Sequence, residues 1–304
     1  MKGIIMERKG KTLTMSVFAR RKKQGKKIVL LTAYDLTSAL IASAGGVDAI
    51  LVGDSVGMVV LGHENTLPVT IDDMVHHCKA VCRARPHVPV IADMPYGSFH
   101  VSAAETVRHG LRLVKEAGVS AVKVEGGRNR SDAIKALLDA EIPVMGHLGL
   151  TPQSVNRFGG YRVQGRGKEA AAALLDEARF LEEIGCFAMV LECVPSGVAQ
   201  KISTQLGVPT IGIGAGPGCD GQVLVIHDML GLFTGLKPKF VKRYAELGDA
   251  AVQAVESYTA EVRDGSFPSA EHEYGDEPTG RRDGTGANVS GQSGYLGSVK
   301  ADED

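Results

Sequence analysis

Four carboxylates, a lysine and a histidine stand at or just beyond the ends of short apolar runs in this chain. They are Asp54 in LVGDSVGM, Asp93 in IADMPYG, Lys123 and Glu125 in VKVEGG, His147 in VMGHLGL and Glu192 in MVLECVP. Two aspartates at the carboxyl ends of neighbouring strands can share one divalent cation. Mg2+ in particular binds through one or two carboxylates together with substrate oxygens and water. Taken singly, either aspartate could instead cap the next helix or pair with an arginine. Lys123 and Glu125 are two residues apart, so in an extended strand their side chains share a face. An inward lysine needs a partner, because unpaired buried charge is costly. It could hold a substrate carboxylate, form a Schiff base or pair with Glu125. Glu192 is a candidate general base, or a paired carboxylate that braces the fold. His147 is a candidate proton carrier or oxygen-binding donor, or a satisfied core histidine.

These groups meet only if the runs that carry them are parallel strands opening at one mouth. The runs are Ile28–Thr32, Ala49–Val52, Val88–Ala92, Ala121–Val124, Ile142–Met145, Phe187–Leu191, Thr210–Ile213 and Val223–Ile226. They are apolar throughout, as strands covered on both faces should be. Helical stretches alternate with them: Ile71–Arg83 after Thr70, Ala103–Ala117 after Ser102, Ser131–Ala140, Lys168–Ile184, Val198–Leu206 and, at the end, Asp249–Arg263. The alternation predicts a (β/α)8 TIM barrel, with residues at the strands' carboxyl ends forming the active face. A doubly wound open sheet is the alternative. Two connections are long, Ser55–Thr70 and Leu148–Gly167, and loops of that length in a compact domain usually serve as lids or interfaces. The glycines of GIGAG, Gly212–Gly216, predict close backbone approach at the mouth, leaving room for a flat ligand.

The chain has 304 residues, enough for one barrel of about 250 residues. The expected organisation is a barrel over 1–265 with a basic, helical N-terminal segment, followed by a disordered tail over 266–304, which is too poor in apolar side chains to offset ordering entropy. Net charge is −1, so whole-molecule attraction to nucleic acid is not expected. The basic cluster in residues 1–27 is read as an amphipathic helix over 14–24 leading into the first strand; a nucleic-acid arm is the alternative. Five cysteines without CxxC spacing suit free thiols in a reducing cytosol, which predicts a cytoplasmic protein. Cys78 and Cys82, beside His76 and His77, could form a zinc site but fit two packed thiols better. No run approaches the roughly 18 apolar residues of a membrane span.

Several strings in this sequence resemble the ketopantoate hydroxymethyltransferase family: LTAYD (31–35), LVGDSVGM (51–58), GHENTLPVT (62–70), ADMPYGS (92–98), VKVEGG (122–127), GHLGLTPQSVNRFGGYRVQGR (146–166), LECVP (191–195), IGIGAG (211–216) and PKF (238–240). The resemblance covers about residues 15–272. It implies a barrel of the phosphoenolpyruvate and isocitrate lyase type, usually a homo-oligomer and often a decamer. It implies transfer of a one-carbon unit from 5,10-methylenetetrahydrofolate to 3-methyl-2-oxobutanoate, giving 2-dehydropantoate and tetrahydrofolate on the route to pantothenate and coenzyme A. By the same resemblance Asp54 and Asp93 bind Mg2+, with Glu125 in or just outside its shell. Asp54, Ser55, Asp93 and Lys123 contact the keto acid, and Glu192 is the proton acceptor, with His147 in a supporting role. A 2-keto acid can chelate one cation through its keto and carboxylate oxygens, which stabilises the enolate formed when the C3 proton leaves.

Overall fold

In the computed structural model, residues 13–233, 235 and 238–274 are described. Eight parallel strands close into a barrel in sequence order. They are β1 (Ile28–Thr32), β2 (Ala49–Val52), β3 (Val90–Asp93), β4 (Ala121–Glu125), β5 (Val144–Gly149), β6 (Ala188–Glu192), β7 (Thr210–Ile213) and β8 (Gly221–Leu224). Pairing of β1 with β8 completes the ring and rules out the open doubly wound sheet.

Two cores follow from the alternation along each strand. Ile28, Leu30, Ala49, Leu51, Ile91, Ala121, Met145, Ala188, Val190, Ile211 and Val223 point inward and fill the barrel. Their odd-out neighbours, among them Ile50, Val52, Val122, Val124, Val144 and Leu191, pack outward under the helices. Because both faces are buried, the strands read as continuous apolar runs.

Helix Ser16–Lys23 plugs the amino-terminal end of the barrel. Its Val17 and Phe18 join the inner core, with Phe18 set edge-on to Phe187 at 5.2 Å. Two of the basic residues on it are paired locally. The Lys22 ammonium donates to Ser203 O, Val208 O and Asp220 Oδ2, each at 2.9 Å, and Arg21 pairs with buried Asp48. The helical reading of 14–24 therefore holds for the described part of the basic cluster; residues 1–12 lie outside the described residues.

Most element boundaries match expectation, and the shifts have physical causes. The β5 run was expected over Ile142–Met145, ending at a glycine, yet the strand runs on through His147 to Gly149 because β6 pairs with it residue by residue. β8 begins two residues earlier than expected, at Gly221, where a Cβ would lie 2.4 Å from Ile28 O. Ile226, expected in that strand, instead opens the short helix Ile226–Met229, and its N–H donates to Thr32 Oγ1 at 3.0 Å. The helix expected over Ala103–Ala117 is α-helical to Leu111 and then widens to a π turn, Arg112–Ala117, before Gly118.

The chain divides into two compact units between Val252 and Gln253, inside the helix Leu247–Asp264. In the second unit Phe267 packs edge-on against Tyr258 at 5.7 Å. From residue 275 the expected disordered tail lies outside the described residues.

The plug makes a stability prediction. Phe18 is fully buried, so Phe18→Ala should cost about 3–5 kcal/mol. Urea unfolding of the variant measures it; a loss under 1 kcal/mol would mean that the plug does not seal the core.

Candidate active site

The inward positions of each strand continue upward into chemistry. One step above Ile91 is Asp93; above Ala121 come Lys123 and Glu125; above Met145, His147; above Val190, Glu192. Strand register then sets neighbours side by side, Asp93 beside Lys123 and Glu125 beside His147. Asp54 and Ser55 follow directly on β2. Gly53 beneath them has no side chain where a Cβ would sit 2.8 Å from Ser55 Oγ and 3.4 Å from Asp93 Oδ2. All seven residues named from the sequence thus line one cavity of about 1040 Å³ at the carboxyl ends of the strands.

The floor is buried and acidic. Asp54, Asp93, Lys123, Glu125 and His147 are each between 1% and 6% exposed. Asp93 Oδ2 accepts from the Asp54 backbone N–H at 3.0 Å, and Asp93 Oδ1 faces the Lys123 ammonium at 3.0 Å. Burial pushes the Asp54 carboxyl well above its ordinary range, and the charges of Asp93 and Glu125 push it further. Burial likewise pushes Glu125 up to about 7, against the pull of Lys123. Desolvation opposes the charge on Lys123, but the carboxylates around it win and hold its pKa above the ordinary lysine value. Three buried carboxylates thus share one ammonium, and full ionisation leaves two negative charges uncompensated, an unfavourable state unless a cation joins them.

The donor set fits a hard divalent ion. All three acids offer oxygen, and Asp93 Oδ1 has no well-aligned hydrogen bond among the described residues. Among those residues no three His, Cys, Asp or Glu side chains form a closed metal cage. Mg2+ does not need one, because it retains waters and completes its octahedron with substrate oxygens.

Beside this floor lies a second pair. Burial, and then the charge of Lys123, lower the His147 pKa, so its imidazole is neutral. Lys123 Nζ stands 3.1 Å from Nδ1, and an ammonium can only donate. Glu125 Oε1 also stands 3.3 Å from Nδ1, but only the Lys123 contact has hydrogen-bond geometry, and it favours the tautomer in which Nδ1 accepts and Nε2 carries the hydrogen. Nε2 stands 3.2 Å from Glu192 Oε2, off the best hydrogen-bond line. Glu192 is the more open partner, with its side chain 15% exposed to the cavity.

Two residues that sequence reasoning gave no role complete the site. Tyr34, fully buried, shares a 2.8 Å hydrogen bond with Ser55 Oγ, and burial pushes its phenol up. Gln153 bonds to both Asp54 and Glu125. Both sit inside the quoted strings LTAYD and GHLGLTPQ, but neither residue type announces chemistry by itself. Asp35, which also ends an apolar run, is an exposed cap: its carboxylate accepts from Ser38 N at the start of helix Leu36–Ala44. GIGAG makes the close backbone approach expected of it, and Gly214 and Gly216 line the cavity, but the nearest neighbours of these glycines are the protein's own side chains. A Cβ on Gly214 would meet the Phe240 ring at 2.8 Å, and one on Gly216 would meet Ser196 at 2.5 Å. Cys78 and Cys82 are free thiols, the first buried and the second half-buried, and burial pushes both up, the opposite of what a zinc thiolate requires.

The closed ring of eight parallel strands, with its acidic, oxygen-donor mouth, defines the class as a (β/α)8 barrel. Solved structures agree on the fold. A 2,3-dimethylmalate lyase, itself a PEP mutase/isocitrate lyase superfamily member, matches with a TM-score of 0.54 at 17% identity, covering 86% of this chain and 92% of the other. A phosphonopyruvate hydrolase in complex with oxalate and Mg2+ matches with a TM-score of 0.55 at 13% identity, covering 86% and 93%. The chain belongs to the ketopantoate hydroxymethyltransferase family, whose model matches residues 12–270. The 3-methyl-2-oxobutanoate hydroxymethyltransferase of Syntrophomonas wolfei is 55% identical over 260 residues, 86% of this chain and 94% of that one. The enzyme of the same name from Nitratidesulfovibrio vulgaris is 56% identical over 256 residues, 84% and 83%.

The raised acids predict a pH signature for the cation-free protein. Glu125 titrates near 7 folded against 4.5 as an ordinary glutamate, so between these values the folded state holds a proton that the unfolded chain releases. Its contribution to stability is present below about 4.5 and is lost as pH rises through 7. In chelator, urea unfolding of wild type relative to Glu125→Gln should lose stability across that window, and saturating Mg2+ should remove the loss. A wild-type advantage that grows with pH would contradict the buried acid cluster.

Proposed function

We propose that this protein transfers a hydroxymethyl group from 5,10-methylenetetrahydrofolate to 3-methyl-2-oxobutanoate, forming 2-dehydropantoate and tetrahydrofolate for pantothenate and coenzyme A synthesis. The observation that carries the reading is the division of one cavity floor into an oxygen-rich, charge-deficient side (Asp54, Asp93, Glu125, Lys123) and a proton-handling side (His147, Glu192). Family membership supports the same reaction.

Asp54 and Asp93 are the direct ligands for Mg2+, with Glu125 in or just outside the shell; the bound ion supplies Lewis acidity toward the keto and carboxylate oxygens of the substrate. Lys123 stays cationic and balances the substrate carboxylate. The Ser55 hydroxyl, fixed by Tyr34, contacts the keto acid. Glu192 removes the C3 proton. His147 presents Nε2–H to that glutamate and so orients it. The C3 carbon then bonds to the folate methylene carbon as one of that carbon's two C–N bonds breaks, and the proton taken by Glu192 passes to the nitrogen released; the second C–N bond breaks on hydrolysis. Water supplies the hydroxyl when the adduct is hydrolysed, and tetrahydrofolate leaves. The upper walls, with Met58, Tyr161, Val163 and Phe240, offer apolar surface for a flat donor above the floor.

The reading includes a cytoplasmic homo-oligomer, a decamer by family resemblance, with no nucleic-acid or membrane partner. Five free cysteines suit a reducing compartment, and no described helix is long and apolar enough to cross a membrane.

Product should form only when the keto acid, methylenetetrahydrofolate and Mg2+ are all present, and chelator should abolish it. A keto-acid lyase on the same barrel would turn over without folate. Glu192→Gln should lower kcat by roughly 10²–10⁴-fold while metal and keto acid still bind; unchanged turnover would remove Glu192 from the base role.

A further inference from the structure

The long β5 connection enters the site through one residue. Gln153 lies on the single turn Pro152–Ser154, three residues beyond the end of β5's neighbour contacts at Leu150, and is buried. Its side-chain N–H groups donate to Asp54 Oδ2 at 2.8 Å and to Met94 O at 3.0 Å. Its backbone N–H donates to Glu125 Oε2 at 3.0 Å. The amide orientation follows from its partners, since turning it over would set its oxygen against two acceptors. One residue thus holds a carboxylate that follows β2, a carboxylate on β4 and the backbone just past β3. Its amide oxygen stays buried without a hydrogen-bond partner among the described residues, open to a donor that arrives with the ligands.

The approach of this turn is built in. Gly149 has φ +92, and a Cβ there would lie 2.2 Å from Glu192 O. Leu150 N–H donates to that same carbonyl at 2.8 Å. The segment that delivers Gln153 to the acids is therefore pinned to the strand that carries Glu192. Beyond it the connection turns exposed, with Arg157, Arg162 and Arg166 open to solvent.

We propose that Gln153 is a positioning residue for the cation site, fixing one oxygen each of Asp54 and Glu125, which leaves the second Asp54 oxygen for the ion while the second Glu125 oxygen stands 3.3 Å from His147 Nδ1, and that it couples order in the connection Leu150–Gly167 to cation binding. The inference rests on the cation reading of Asp54 and Asp93. Each carboxylate has one oxygen committed to Gln153, which lowers the cost of arranging like charges around an ion. Coupling of this kind is reciprocal: what the turn gives to ion affinity, the ion returns to the order of the turn.

The test uses Mn2+ as a spectroscopic probe on the full chain. Gln153→Met keeps the volume and the backbone donor but removes the amide. It should weaken Mn2+ binding, read by electron paramagnetic resonance, by about ten- to a hundredfold, the usual range for a lost partner of a metal ligand. High Mg2+ should restore its kcat, which a general packing defect would not allow. In wild type, saturating Mn2+ should slow tryptic cleavage at Arg157, Arg162 and Arg166 relative to cleavage elsewhere, and in Gln153→Met it should not. Mn2+ affinity in the variant within twofold of wild type overturns the positioning role while leaving the cation reading intact. Wild-type cleavage indifferent to Mn2+ overturns the coupling and needs no variant to fold. Failure of wild type to bind Mn2+ at all would remove both the inference and the cation reading beneath it.

Discussion

The mouth of this barrel holds more buried negative charge than buried positive charge, and the rest of the site answers that imbalance. Asp54, Asp93 and Glu125 crowd one ammonium, that of Lys123, in a place nearly closed to water. A protein can tolerate such a cluster by keeping acids protonated or by recruiting a cation. The raised acids of Asp54 and Glu125 are the first answer, and the oxygen-only donor set makes the second available. The same charge deficit that strains the free site is therefore a source of affinity for a divalent ion and its chelating substrate.

Lys123 links the two halves of the floor. On one side it pairs with Asp93; on the other its donor-only ammonium contacts His147 Nδ1 and favours the tautomer with Nε2–H on the side of Glu192. A change at Lys123 would disturb both the charge balance and the orientation of the proposed base. Functional coupling across the cavity needs no moving part here, only one side chain with two neighbours.

The barrel supplies the precision. Each strand is an apolar ladder whose inward rungs become polar in the final turn of the alternation, and the parallel register brings those polar rungs to one level. The bottom is sealed by Phe18, and beside it Lys22 and Arg21 find carbonyls and aspartates. The loops then finish what the strands begin: Gln153 and Tyr34 hold groups that the strands only deliver.

Much of this was legible in the chain itself. Period and composition give eight buried parallel strands, and the polar residue closing each apolar run marks the mouth, because a strand buried on both faces leaves chemistry nowhere else to go. The family strings add the reaction. Glycine-rich GHLG did not read as strand, since only pairing with β4 and β6 keeps it extended. GIGAG read as close backbone approach at the mouth, which it makes, and only packing shows that Phe240 and Ser196 are what it approaches. Gln153 is an ordinary loop amide until the fold brings it across 99 positions of sequence to Asp54. Residue types, periodicity and strand ends are local properties, so the sequence by itself determined the barrel and its candidate chemistry. Which acid leans on which base, which tautomer results and which loop residue holds the carboxylates depend on contacts between distant segments, and only the closed tertiary structure decided them.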